Sequence, residues 1–157
     1  MNIPVAKPLP AVGTTAPAFT LTRVDRTDVQ LNEYLGKRVV LNIFPSIDTS
    51  TCAMSVRKFN QMAADLNNTV VLCISKDLPF AQKRFCGAEG IENVETLSQY
   101  RNSSFSDAYG VDMTDTPMRG LMSRNIVVVD EQGTIVHTEA CELGVEPNYE
   151  AVLAVLA

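Results

Sequence analysis

The sequence predicts an α/β fold: a central mixed β-sheet with helices on both faces. Three observations carry that expectation. Apolar, β-branched runs (VVLNIF at 39–44, TVVLCIS at 69–75, IVVVD at 126–130) read as buried strands. Between the first two lies a segment of helical period, in which Cys52, Val56, Phe59, Ala63 and Leu66 share one face. The chain order of strand, helix, strand, helix, strand, helix, hairpin and helix is that of a layered α/β domain. At 157 residues a single domain over 1–157, large enough to bury a sizeable core, is expected.

Residues 1–18 carry Pro4, Pro8, Pro10 and Pro17 and are expected to be irregular. FTLTR and DVQL, around Asp25-Arg26-Thr27, predict a hairpin over 19–31. Asn32 to Gly36 predicts one helical turn closed by Gly36. The run 39–44 follows, then a turn-rich segment, then a helix beginning at or just after Cys52. TVVLCIS is expected to run parallel to the first strand, since a helix separates them. Asp77 is a candidate cap for the next helix, with Pro79 in its first turn and Gly87 as its stop. Val94–Leu97 reads as a short strand and Phe105–Tyr109 as a short helix ended by Gly110. Residues 112–120 read as a loop. Strands at 126–130 and 134–138 are joined by the turn Asp130-Glu131-Gln132-Gly133, and a helix over 148–157 closes the chain. A thioredoxin-like form of the α/β fold suits this order.

The net charge of −5 argues against nucleic acid or an anionic membrane as partner. No apolar run reaches membrane-span length, and the proline-rich start is not a signal peptide, so the cytoplasm is the expected compartment. Four cysteines, at 52, 73, 86 and 141, are too few and too widely spaced for a disulfide framework or a zinc site. They are expected to be free or catalytic, with no metal.

Cys52 is the candidate for chemistry. It lies in the first turn of a helix, behind Asp48-Thr49-Ser50-Thr51, where free amides and the helix dipole favour an anion. A helix mouth supplies about 0.3–1 kcal/mol, at most about 2. Reactive thiolates of enzymes need roughly 3.4 kcal/mol, so a cation must add the rest. Arg57 is about 140° around the helix from Cys52 and should face away. Arg124, just before IVVVD, can enter a site at the sheet edge, although an ordinary strand-end charge accounts for it equally well. Cys73, inside an apolar strand, and Cys141 read as buried hydrophobes. Cys86, beside Gly87 at a helix end, could condense with an oxidised Cys52 if their Cα atoms come within about 7 Å. Spacing alone leaves a plain buried cysteine equally open there. Other nucleophile patterns fail: Cys52 and Arg57 are C-x4-R where a tyrosine-phosphatase loop needs C-x5-R, and His137, the only histidine, reads as a half-exposed strand residue. No glycine-rich phosphate loop is present.

PSIDTSTC resembles the peroxiredoxin signature P-x-x-x-T-x-x-C. VLNIFPSIDTSTCAMSVRKFNQ, NTVVLCISKDLPFAQKRFCGAEGIENV and SRNIVVVDE resemble the bacterial thiol peroxidase branch, the atypical two-cysteine peroxiredoxins, from about Gly13 onward. The resemblance implies a peroxidatic cysteine at Cys52 and a resolving cysteine at Cys86. It implies that Thr49 hydrogen-bonds thiolate and peroxide, that Pro45 shields the site from water, and that Arg124 stabilises the thiolate and orients the peroxide. It further implies hydroperoxide reduction, often with alkyl over hydrogen peroxide preferred, thioredoxin as reductant, a homodimer, and no metal or organic cofactor. The family usually begins with a longer N-terminal hairpin, so this chain is expected to start inside it. Ser50-Thr51 stands where Pro-Val or Gly-Val is common; the β-branch of Thr51 should preserve the loop shape. A peroxide-responsive redox sensor and a thiol–disulfide oxidoreductase are the alternatives, and the absence of C-x-x-C weighs against the second.

Overall fold

The structure, a computed structural model, describes residues 4–157. The expectation for residues 1–3 lies outside the described residues. From residue 4 to residue 19 there is no strand or helix, only isolated bridges pairing Val5 with Met113 and Thr15 with Thr134. This segment lies close against Gly110, where a Cβ would meet the Lys7 carbonyl oxygen at 2.5 Å. Gly110 also closes a helix at φ 71°, a conformation suited to glycine.

Strands β1 (Thr20–Thr22) and β2 (Asp28–Gln30) form the expected hairpin, followed by a 3-10 turn at Leu31–Glu33. Next come β3 (Arg38–Ile43), α1 (Ser50–Ala63), β4 (Thr69–Ser75), α2 (Pro79–Glu89) and β5 (Glu95–Ser98). The chain ends with α3 (Ser104–Tyr109), β6 (Asn125–Val129), β7 (Ile135–Ala140) and α4 (Tyr149–Leu156). The seven strands form one mixed sheet in the order β2-β1-β5-β4-β3-β6-β7. β3, β4 and β5 are parallel, as the crossover helices require, and β6 runs antiparallel to β3.

Alternation along the strands divides the core into two layers. Val39, Leu41 and Ile43 face one side with Leu72, Ile74, Leu97, Val127 and Val129, under Phe105 and Tyr109 of α3. Val40 faces the other with Val71, Cys73, Ile126 and Val128, against Cys52, Val56 and Phe59 of α1 and Val152 and Leu156 of α4. Phe85 and Cys86 of α2 pack on this second layer too.

Most element ends fall within a few residues of expectation, and the differences at α1 and α2 bear on the site. α1 begins at Ser50, with Thr49 as its N-cap, so Cys52 is its third residue. α2 does not stop at Gly87: it continues to Glu89 and closes at Gly90, φ 65°. A glycine inside a helix costs only about 1 kcal/mol, and the Arg57 guanidinium of α1 pairs with Glu89 at 2.9 Å through both Nε and Nη2. Cys86 therefore lies within the helix rather than at a frayed end. Asp77 does not cap α2 either. Leu78 holds the cap position without a side-chain bond, and the Asp77 carboxylate is engaged by the loop before α1.

Candidate active site

The sheet register assembles the site. β3 ends at Ile43, and its antiparallel partner β6 begins beside it, Ile43 opposite Asn125. The start of β6 thus meets the mouth of α1. Arg124 continues the alternation of Ile126 and Val128, so its side chain belongs to the face that carries α1. The Arg124 guanidinium is buried (2% exposed) and donates from Nη2 to the Cys52 sulfur at 3.4 Å. Its Nε and Nη1 are also buried and have no hydrogen-bond partner among the described residues. Cys52 itself is fully buried.

The helix mouth is tied down around Cys52. Its N–H donates to Thr49 Oγ1 at 3.3 Å, and the Thr49 hydroxyl donates to the Ser46 carbonyl at 3.2 Å. Thr49 is thus brought to the mouth as a cap, with its hydroxyl engaged by the loop. The Cys52 carbonyl accepts from Ser55 Oγ at 2.8 Å, and Ser55 accepts from Asn42 Nδ2 of β3 at 3.2 Å. Pro45 is buried at the start of the turn, where its missing N–H leaves no donor to satisfy.

The other thiols sit in different settings. Cys86 is half-buried beside Thr96 Oγ1 of β5 at 3.9 Å, and burial pushes its pKa up. Cys73 is fully buried next to Asn42, and burial pushes its thiol up to about 12. Cys141 is also held near 12, by burial first and by the charge of Glu139 second. All four are free thiols. Cys52 lies on α1 against Arg124, and Cys86 lies on α2 beside Thr96 of β5, so the two thiols sit on different helices over the same face of the sheet. Of the residues singled out in the sequence, Cys52, Arg124 and Thr49 come together and Pro45 lies at the same mouth. Cys86 stands off on α2. Arg57 turns away from Cys52 as expected, although it pairs with Glu89 instead of standing free in solvent.

Asp77, a candidate helix cap by sequence, instead holds the turn before α1 through Ser46 and Ile47. No local signal marks it, because its loop partners lie some thirty residues upstream. Among the described residues, no group of three or more His, Cys, Asp or Glu side chains gathers as a metal site.

A cysteine at a helix mouth, held against a buried arginine beside a mixed sheet, defines a class of thiol-based redox proteins. The redoxin family model matches residues 11–153. A curated thiol peroxidase of Mycobacterium bovis is 56% identical over 149 residues, covering 94% of this chain and 89% of that protein. A peroxiredoxin-like protein of Aquifex aeolicus superposes with a TM-score of 0.92 at 30% identity, over 98% of this chain and 90% of its own. A thiol peroxidase of Chromobacterium violaceum shares the fold, with a TM-score of 0.89 at 22% identity over 98% of this chain and 90% of that one. The chain belongs to the redoxin family, in its thiol peroxidase branch. The thioredoxin-like architecture expected from the order of elements is borne out by these neighbours.

Proposed function

We propose that this protein is a peroxidase that reduces hydrogen peroxide and organic hydroperoxides to water and alcohols, with Cys52 as the attacking thiol. One observation carries the assignment to Cys52: the buried contact of 3.4 Å between its sulfur and Arg124 Nη2. The sulfur attacks the terminal peroxide oxygen, forming the S–O bond as the O–O bond breaks. Negative charge moves to the leaving oxygen, which takes a proton and departs as alcohol or water. The unpartnered Nε–H and Nη1–H of Arg124 are donors for those oxygens, on the same rigid fork that holds the sulfur. Thr49 holds the mouth and offers its hydroxyl to the peroxide when its bond to Ser46 opens. Pro45 keeps water from the turn.

Cys86 then attacks the sulfenic sulfur of Cys52, releasing water and forming a disulfide. It is the only thiol of the remaining three that is not buried. Cys86 lies inside α2, and joining the two sulfurs calls for that helix to unwind in part. That helix fully buries only Pro79 and Gln82, so little apolar burial resists the motion. Thioredoxin, by thiol–disulfide exchange, restores both thiols. The reductant, cytoplasmic residence and a homodimer belong to the same proposal, on the strength of family membership. Met54 of α1, with Leu78 and Phe80 at the start of α2, offers exposed apolar surface for a second copy.

Mass measurement after one equivalent of peroxide tests the reading. The wild type should lose two hydrogens, Cys86→Ser should gain one oxygen, and Cys52→Ser should be unchanged. A Cys52→Ser variant that still consumes peroxide at the wild-type rate would overturn the assignment. Turnover with thioredoxin too slow to measure, together with a stable mixed disulfide to another protein, would point to the sensor instead.

A further inference from the structure

Asp77 follows β4 at the same end of the sheet as the helix mouth, because β3 and β4 are parallel and pair through Ile43 and Ile74. Its carboxylate accepts from Ser75 Oγ at 2.6 Å, from the Ile47 N–H at 2.7 Å and from Ser46 Oγ at 2.8 Å. Two of these donors belong to the turn that leads into α1. The Ser46 carbonyl in turn accepts from the Thr49 N–H at 3.1 Å and the Thr49 hydroxyl at 3.2 Å. Thr49 Oγ1 then accepts from the Cys52 N–H at 3.3 Å. One carboxylate therefore begins a chain of bonds that ends on the backbone of Cys52. A second branch runs the other way. Gln82 of α2, fully buried, donates to Ser75 Oγ at 3.3 Å and to the Leu97 carbonyl of β5 at 2.9 Å. Cys86 lies one turn beyond Gln82 on the same face of α2.

We propose that Asp77 is a positioning residue for the peroxidase reaction, its carboxylate fixing the Ser46–Thr49 turn so that Cys52 is held against Arg124. The inference rests on the assignment of Cys52 as attacking thiol made above. Asp77 acts at a distance and touches no peroxide. The chemistry of the anchor explains why a carboxylate is needed. Three donors converge on it, and only an ionised carboxylate offers two oxygens with no donor of its own. Bonds to a charged acceptor are also about twice as strong as neutral ones. An amide in its place turns an NH2 toward other donors, and the turn must shift. Misplacement of a reacting group by about 1 Å can cost up to about 100-fold in rate.

The test separates the oxidation step from the disulfide step. Oxidation of Cys52 by hydrogen peroxide is followed by rapid quench and mass measurement in the wild type, Asp77→Asn, Ser46→Ala, the double variant and Ser98→Ala. Ser98 Oγ donates to the Asp77 backbone carbonyl, so its loss weakens the same strand end without touching the turn. The expected result is a 10- to 100-fold slower oxidation in Asp77→Asn, with closure of the disulfide from the sulfenic acid changed less than about threefold. Ser46→Ala should lose part of that, and the double variant should be slower than Asp77→Asn by far less than the Ser46→Ala loss alone, because Ser46 Oγ reaches the anchor through the Asp77 carboxylate and keeps only its Asp48 N–H bond at 3.1 Å apart from it. Ser98→Ala should melt lower and oxidise at the wild-type rate. Wild-type oxidation in a folded Asp77→Asn overturns the proposal, as do additive losses in the double variant or rates that follow melting temperature across the set. If Asp77→Asn does not fold, Ser46→Ala decides: a loss of about three- to tenfold supports the anchor and no loss overturns it. Failure of the peroxidase reading itself looks different, since the wild type would then show no Cys52 oxidation faster than Cys86 oxidation.

Discussion

Replacing Arg124 by methionine removes the cation at the site and keeps most of the side-chain volume. The charge lost sits 3.4 Å from the Cys52 sulfur, where unit charges at an effective dielectric near 20 attract by about 5 kcal/mol. That is a ceiling, since only the charge that moves in the transition state counts. A single donor at such a site is worth about 2.7–4 kcal/mol. Taking about 3 kcal/mol, oxidation of Cys52 should slow by roughly 150-fold. Stability should move the other way. The guanidinium buries two nitrogens with no partner, and each such donor costs about 1–3 kcal/mol. Arg124→Met should therefore melt no lower than the wild type. Rapid-quench oxidation at several peroxide concentrations gives the rate constant, and urea unfolding gives the stability. Arg124→Lys, which keeps the charge and loses the planar fork, should fall between the two. A folded Arg124→Met that oxidises within about threefold of the wild type would refute the electrostatic account of the site.

Thr49→Val should lose the cap acceptor and about 1 kcal/mol, seen as a melting temperature lower by about 2–4 °C, whereas Thr49→Ser should retain it. Gly90→Ala meets nothing within 4 Å but places an L side chain at φ 65°, for a cost of about 1–2 kcal/mol. Hydrogen exchange in the last turn of α2 should quicken, and disulfide closure after peroxide should become faster, not slower. Stability should also fall in alkali. The Cys73 thiol, pushed by burial to about 12 from an ordinary 9.0, stays protonated in the native state while the unfolded chain loses its proton. Its contribution is fully present below pH 9 and declines by about 1.4 kcal/mol per pH unit from there toward pH 12. Cys73→Ala should be less stable at pH 7 but should have a shallower decline between pH 9 and pH 10 in urea titrations; an unchanged slope would contradict a neutral buried thiol.

The β3–α1–β4 unit was legible because its strands are buried on both faces, which leaves unbroken apolar runs in the sequence. The helical stripe Cys52-Val56-Phe59 was legible for a related reason: it faces one layer of core along its whole length. Arg124 was legible only as a strand-end charge, because a polar residue just before an apolar run marks such an end; its face follows from the observed alternation with Ile126 and Val128. What failed was local punctuation. Gly87 carries the same local signal as a helix stop, but a cross-helix ion pair and a better terminator three residues on extend the helix past it. Asp77-Leu78-Pro79 carries the ordinary signature of a helix start. Its carboxylate is claimed by donors from the turn before α1, brought close only when two parallel strands align. A local pattern cannot report a competition settled by tertiary contact.

The burial of three of the four sulfurs has a practical side. A thiol reagent too bulky for the helix mouth will undercount in the native protein, since Cys73 and Cys141 are shut away and Cys86 is only half-exposed. Cys73, at the centre of β4 between two neighbouring strands, will be the last to react. Its slow labelling is a built-in clock for how often the sheet comes apart.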